Sequence, residues 1–132
     1  MVPSTVRTGL KTRLATIAGL KCYDHIPDSV NVPGAVVGQL DLNFDATFNR
    51  GFDNATCTIL LIVGRMSESA GQTKLDGYLA STGSTSVKAA IEGDVTLGGA
   101  VQTLRVTNAT AGSVQVASTD YLAYRYNVEL IG

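Results

Sequence analysis

The sequence predicts an α+β fold: a mixed or mostly antiparallel sheet with helices packed on one face, in one domain spanning residues 1–132. Three observations predict it. Residues 55–63 (ATCTILLIV) are the chain's one strong apolar run, of strand length and rich in β-branched residues. Residues 119–131 alternate apolar and polar, the pattern of an antiparallel strand with one wet face. Val6, Leu10, Leu14 and Ile17 recur at helical spacing and form a single apolar stripe.

Taken in order, Ser4 or Thr5 is placed to cap the first helix, which the stripe carries to about Ala18. Gly19 sits where a C-terminal glycine belongs. Arg7, Lys11 and Arg13 occupy the other faces of this helix and read as a solvated surface. Residues 20–26 (LKCYDHI) alternate as a short strand, and Pro27 and Pro33 bracket the loop that follows. From Ala35 the chain is extended again. Val36, Leu40, Leu42 and Phe44 share one face, while Val37, Gln39, Asp41, Asn43 and Asp45 share a polar, acidic face expected to meet water. Residues 45–51 (DATFNRG) read as the turn of a long hairpin into the central strand.

In that central strand Ala55, Cys57, Ile59, Leu61 and Val63 share a core face. The opposite face begins polar at Asn54, Thr56 and Thr58 and ends apolar at Leu60 and Ile62, so a helix or a neighbouring subunit is expected to cover its second half. Gly64 and Arg65 turn the chain into a second helix capped by Ser67 or Ser69, with Leu75, Tyr78 and Leu79 inward and Gly83 closing it. Residues 84–86 cap a short helix over 87–92, with Val87, Ala90 and Ile91 inward and Gly93 at its end. Gly98 and Gly99 read as a flexible joint before three extended segments, 101–107, 113–117 and 119–131.

Composition narrows the function classes. The charged fraction is 16%, against about 25% in an average domain, and mean hydropathy is positive. No run of 18 apolar residues exists, so further burial against protein, as an oligomer, is the expected use of this surface. The net charge of −1 and the scattered basic residues argue against a nucleic-acid reader. The start of the chain lacks the apolar core of a signal peptide, which points to the cytosol of the producing cell. Cys22 and Cys57 lie among apolar strand residues and are expected to be core thiols.

Catalytic constellations are scarce. His25, the single histidine, with Asp24 or Asp28 beside it, is the one acid–base candidate, and a lone strand-end histidine is more often structural. One His and two separated Cys give no metal-ligand spacing, and no G-x-S-x-G elbow occurs. Residues 71–74 (GQTK) hold P-loop residue types in the wrong order and inside a helix. No enzyme activity, cofactor or metal is expected. Phe44, Phe48 and Phe52 are all the phenylalanines, clustered around the hairpin turn. Phe48, Arg50 and Phe52 there, with Leu60 and Ile62 on the central strand, are the candidate protein-interface residues, since aromatics are enriched at protein contacts.

The order of several stretches resembles a known family. Residues 6–20 (VRTGLKTRLATIAGL), 23–37 (YDHIPDSVNVPGAVV), 59–81 (ILLIVGRMSESAGQTKLDGYLAS), 86–99 (SVKAAIEGDVTLGG), 104–109 (LRVTNA) and 120–131 (DYLAYRYNVELI) are similar to the tail terminator, or tail completion, proteins of long-tailed bacteriophages, particularly those of actinobacteria. The resemblance implies a small subunit of a ring, typically six-fold, at the head-proximal end of the tail tube. Such a ring stops tube polymerisation and then joins the tail to the head connector. Its implied partners are further copies of the chain, the tail tube protein and a head-side stopper or connector protein. Its implied place is the virion, after assembly in the host cytoplasm. DNA would pass through the lumen without specific binding, and Asp41 and Asp45 are the candidate lumen residues, because it is basic groups that hold phosphates. A head-side neck protein, or a small cytosolic enzyme built on His25, are the alternatives.

Overall fold

Pro3 opens the first helix. Its missing N–H costs nothing at N1 and its fixed φ suits the helix, so α1 (Pro3–Leu14) begins ahead of the expected hydroxyl caps, with Val2 before it making no side-chain cap. Ser4 and Thr5 therefore lie within its first turn. Lys11 and Arg13 in the last turn complement the helix dipole. Val6, Leu10 and Leu14 are fully buried along it and Ile17 just past it, as the stripe predicts. The computed structural model describes residues 2–17, 20–23, 34–44, 53–65, 76–80, 82–83, 86–116 and 119–132.

Five strands form one sheet in the order β1-β2-β3-β5-β4. β1 (Lys21–Tyr23) runs parallel to β2 (Gly34–Asn43). β2 with β3 (Asn54–Arg65), β3 with β5 (Thr119–Ile131), and β5 with β4 (Thr103–Val116) are antiparallel. The protein is thus α+β with a mixed sheet, as its sequence predicts. Residues 76–79 form one helical turn, with Tyr78 buried; Gly64 and Arg65, expected to turn the chain into the second helix, extend β3 instead, residues 80 and 82–83 are not helical, and the remainder of that expected helix lies outside the described residues.

One sheet face carries the core. Ala55, Cys57, Ile59 and Leu61 of β3 and Tyr126, Val128 and Leu130 of β5 pack with Val6, Leu10 and Leu14 of α1. Val87 and Ile91 of α2 (Val87–Glu92) join the same cluster. Each fully buried Leu, Ile or Val is worth roughly 1.5–3 kcal/mol. Ser86 starts α2 as predicted: its hydroxyl accepts from Ala89 N–H at 3.1 Å and donates to the Ala80 carbonyl, so the buried oxygen is fully used. The expected joint at Gly98 and Gly99 is instead a fixed 3₁₀ turn (Leu97–Gly99), with both glycines at positive φ. Asp94 accepts from Thr96 N–H at 3.2 Å and from Gly98 N–H at 2.9 Å, and so ties that turn together.

Three bulges reset the strand alternation. On β2, Gly38 and Gln39 oppose Thr58 alone, because Val37 pairs with Ile59 and Leu40 with Cys57. The core face therefore reads Ala35, Val37, Leu40, Leu42, which corrects the uninterrupted alternation that placed Val36 with Leu40 and Val37 with Asp41. Phe44, expected on the core face, lies just past the end of β2 and is 70% exposed. A second bulge falls between Ile62 and Gly64 on β3, and a third between Val106 and Asn108 on β4. Across the third, the segments read separately as 101–107 and 113–117 join into one 14-residue strand.

Candidate interaction surface

The register places on one face of the sheet the residues that point away from α1 and α2. Across β2, β3, β5 and β4, one row is Asp41, Thr56, Glu129 and Arg105, and the next is Asn43, Asn54, Ile131 and Thr103. Toward the other end the face turns apolar, with Val36 opposite Leu60 and Ile62 opposite Ala123. Asn54 and Thr56 are exposed, Thr58 and Leu60 half-buried and Ile62 buried, so the wet-to-dry gradient expected along β3 is present.

The polar end is a shallow hollow of about 410 Å³, bordered by Asp41, Asn43, Asn54, Thr56, Glu129 and Ile131. Phe44 stands exposed beyond Asn43, and Ile131 is 42% exposed in the same row as Asn54. Asp41, on the strand face expected to meet water, is exposed here. The face is not uniformly acidic, however. Arg105 bonds Glu129 at 3.2 Å, and Arg125 is exposed further along. Both partners of the Arg105–Glu129 pair are more than half exposed, so the pair adds at most about 1 kcal/mol of stability while cancelling two charges. The Asn127 amide donates to Asn108 Oδ1 at 2.6 Å and so links β5 to β4 on this surface.

Among the interface candidates, Leu60 is half-buried and Ile62 is 1% exposed within the chain itself. A neighbouring subunit is not needed to cover Ile62. Phe48, Arg50, Phe52 and the lumen candidate Asp45 lie outside the described residues, as do His25, Asp24 and Asp28. Sequence reasoning missed Phe44 as an exposed aromatic, along with Arg105 and Arg125 as cations on the sheet face that carries Asp41. Their signal was the outward position of each arginine in its own strand, which acquires meaning only once the register is known.

A second hollow, of about 510 Å³, lies between α1 and the turn at Leu97, and the side chains of Thr8, Thr12, Arg13 and Asp94 that line it are engaged in hydrogen bonds. The Thr8 hydroxyl donates to the Ser4 carbonyl and that of Thr12 to the Thr8 carbonyl, both at 2.9 Å. Arg13 Nε donates to the Ala90 carbonyl at 2.9 Å. Hydrogen bonds from Thr96 and Gly98 hold the Asp94 carboxyl below its usual range. Burial pushes the Cys57 thiol up to about 11 and raises that of Cys22, which disfavours the reactive thiolate at both. Among the described residues no three His, Cys, Asp or Glu side chains converge to hold a metal. None of the helices there is long and apolar enough to cross a membrane. No family model matches the chain, and none of the curated proteins is significantly similar to it.

Proposed function

We propose that this protein is a structural subunit of a tail terminator ring, which caps the tail tube of a long-tailed bacteriophage and receives the head connector. The reading is carried by the order in which the resembling stretches supply the frame of the fold. Residues 6–20 hold α1, 59–81 the second half of β3, 86–99 α2 and its turn, 104–109 the start of β4, and 120–131 nearly all of β5. A sheet with its helices on one face and a polar, low-charge surface on the other gives a subunit two unlike sides, as head-to-tail ring contacts require. The exposed Phe44 and Ile131 beside Asp41 supply an apolar rim for a protein partner.

The test is tail length by electron microscopy in particles made without this protein. Overlong, headless tubes are expected. Normal tails beside unattached heads would move the protein to the head side of the neck. Intact infectious particles would refute both virion readings.

A further inference from the structure

Three polar contacts tie the six-residue α2 to its surroundings. At its start the Ser86 hydroxyl accepts from Ala89 N–H and donates to the Ala80 carbonyl. On the α1 side Arg13 Nε donates to the Ala90 carbonyl at 2.9 Å, and its guanidinium lies against Gly93. On the β4 side Glu92 Oε2 accepts from the Val106 N–H at 3.1 Å. β4 is the outer strand, with β5 on one side only, so this outward N–H takes a side chain in place of a neighbouring strand.

One of the three contacts responds to acid. The Ser86 hydroxyl does not titrate there, and an arginine keeps its charge throughout. Glu92 does titrate. Among the described residues two cations face its carboxylate. Lys88, on the same helix, donates to both of its oxygens, and Arg105 of β4 lines the same hollow but is bonded to Glu129. Arg13 of α1 is turned to the Ala90 carbonyl, and Asp94 is turned into its own loop by bonds from Thr96 and Gly98. Partial burial pushes the Glu92 carboxyl up, but the bonds from Lys88 and Val106 outweigh it and hold it below its ordinary 4.5. Its side chain is 27% exposed, so a proton reaches it without the helix unfolding.

We propose that Glu92 is an acid-sensitive latch between the helical layer and the outer strand. Ionised, it holds the end of α2 on β4; protonated, it lets that end part from Val106 while Arg13 keeps α2 on α1. Val87 and Ile91 stay buried in the core throughout, so the change is confined to Glu92 and Gly93. A hydrogen bond to an ionised group is roughly twice as strong as a neutral one, and a protonated Glu92 loses the Lys88 ion pair as well. The contribution of the latch is full above pH 4.5 and is lost as pH falls through the lower folded-state value. The device is independent of the ring reading.

The test is NMR of the whole chain, titrated from about pH 7 to about pH 2.5. The Val106 amide proton is expected to shift with the same midpoint as the Glu92 carboxyl carbon, below 4.5. Its exchange, corrected for the intrinsic effect of pH, should quicken about fivefold to tenfold. Amides inside β3 should keep their protection over the same range. Glu92→Gln leaves an uncharged acceptor in place and should remove both changes at Val106. Lys88→Met takes away the ion pair and should raise the midpoint, which general acid unfolding would not predict. A Val106 amide that ignores the Glu92 titration, or that still titrates in Glu92→Gln, would overturn the inference. So would a simultaneous loss of protection in β3, because the sheet would then open as one unit.

Discussion

Gly38→Ala tests the device that sets the β2 register. A Cβ built on Gly38 would sit 2.7 Å from the Thr58 carbonyl oxygen, at least 0.7 Å inside ordinary contact at 3.4 Å (3.4 − 2.7). The obstacle is backbone, and β3 is fixed between β2 and β5, so it yields only by loosening two ladders. Overpacking of this kind costs about 1–3 kcal/mol. Replacing Gly by Ala in a strand returns about 0.5–1 kcal/mol. The net expectation is a loss of about 1–2 kcal/mol, or roughly 3–10 °C in Tm for a chain of this length. Gly112→Ala is the control, since a Cβ there meets nothing within 4 Å and should leave stability equal or slightly higher. Thermal and urea unfolding of both variants, followed by circular dichroism, measure the difference. A Gly38→Ala protein as stable as wild type, or a Gly112→Ala protein equally damaged, would refute the argument that close backbone approach fixes the bulge.

Three further outcomes are expected. Ser86→Ala removes the α2 cap and the bond to the Ala80 carbonyl, so urea unfolding should show a loss of about 1–2 kcal/mol. Cys57 has its thiol raised from 9.0 to about 11, so its contribution is fully present below pH 9 and is lost as pH rises through 11. Stability measured from pH 8 to 11.5 should fall less steeply in Cys57→Ala than in wild type, by up to roughly 2–3 kcal/mol over that window; parallel curves would contradict it. Under the ring proposal, Asp41→Lys with Asp45→Lys should slow DNA ejection from assembled particles, because added cations on the lumen hold phosphates; unchanged ejection kinetics would remove Asp41 and Asp45 from the lumen wall.

Much of the fold was legible because its central elements obey simple periods. β3 kept its alternation through Ile62, with Ala55, Cys57, Ile59 and Leu61 all in the core. The α1 stripe was readable for the same reason. Failures arose where tertiary pairing overrode local signals. Asn108 and Gly112 are turn-forming residues and read as a break, but the 13-residue β5 supplies a ladder long enough to carry β4 straight through them. At the candidate surface Asp41 was legible as a polar position, whereas the pairing of Arg105 with Glu129 depends on a register that no local pattern encodes.

The bulges decide which residues reach each face of the sheet. With Ala35 and Val37 in the core, strict alternation would carry Gln39, Asp41 and Asn43 inward beneath α1 and turn Leu40 and Leu42 out. A buried, unpaired carboxylate there would cost several kcal/mol. The extra residue at Gly38–Gln39 reverses that outcome, so the polar face at Asp41 and the apolar packing of Leu40 and Leu42 are one event seen from two sides. On β4 the extra residue at Thr107 acts alike. It places Ala109 and Ala111, rather than Asn108 and Thr110, on the side of Leu104 and Val106, and the Thr107 hydroxyl secures it by donating to the Asn127 carbonyl at 3.0 Å. The same residue marks where the cover supplied by Glu92 ends. Two single-residue insertions thus convert a sheet whose alternation alone would bury polar groups into one with a polar outer face, while the face beneath α1 and α2 keeps an apolar core.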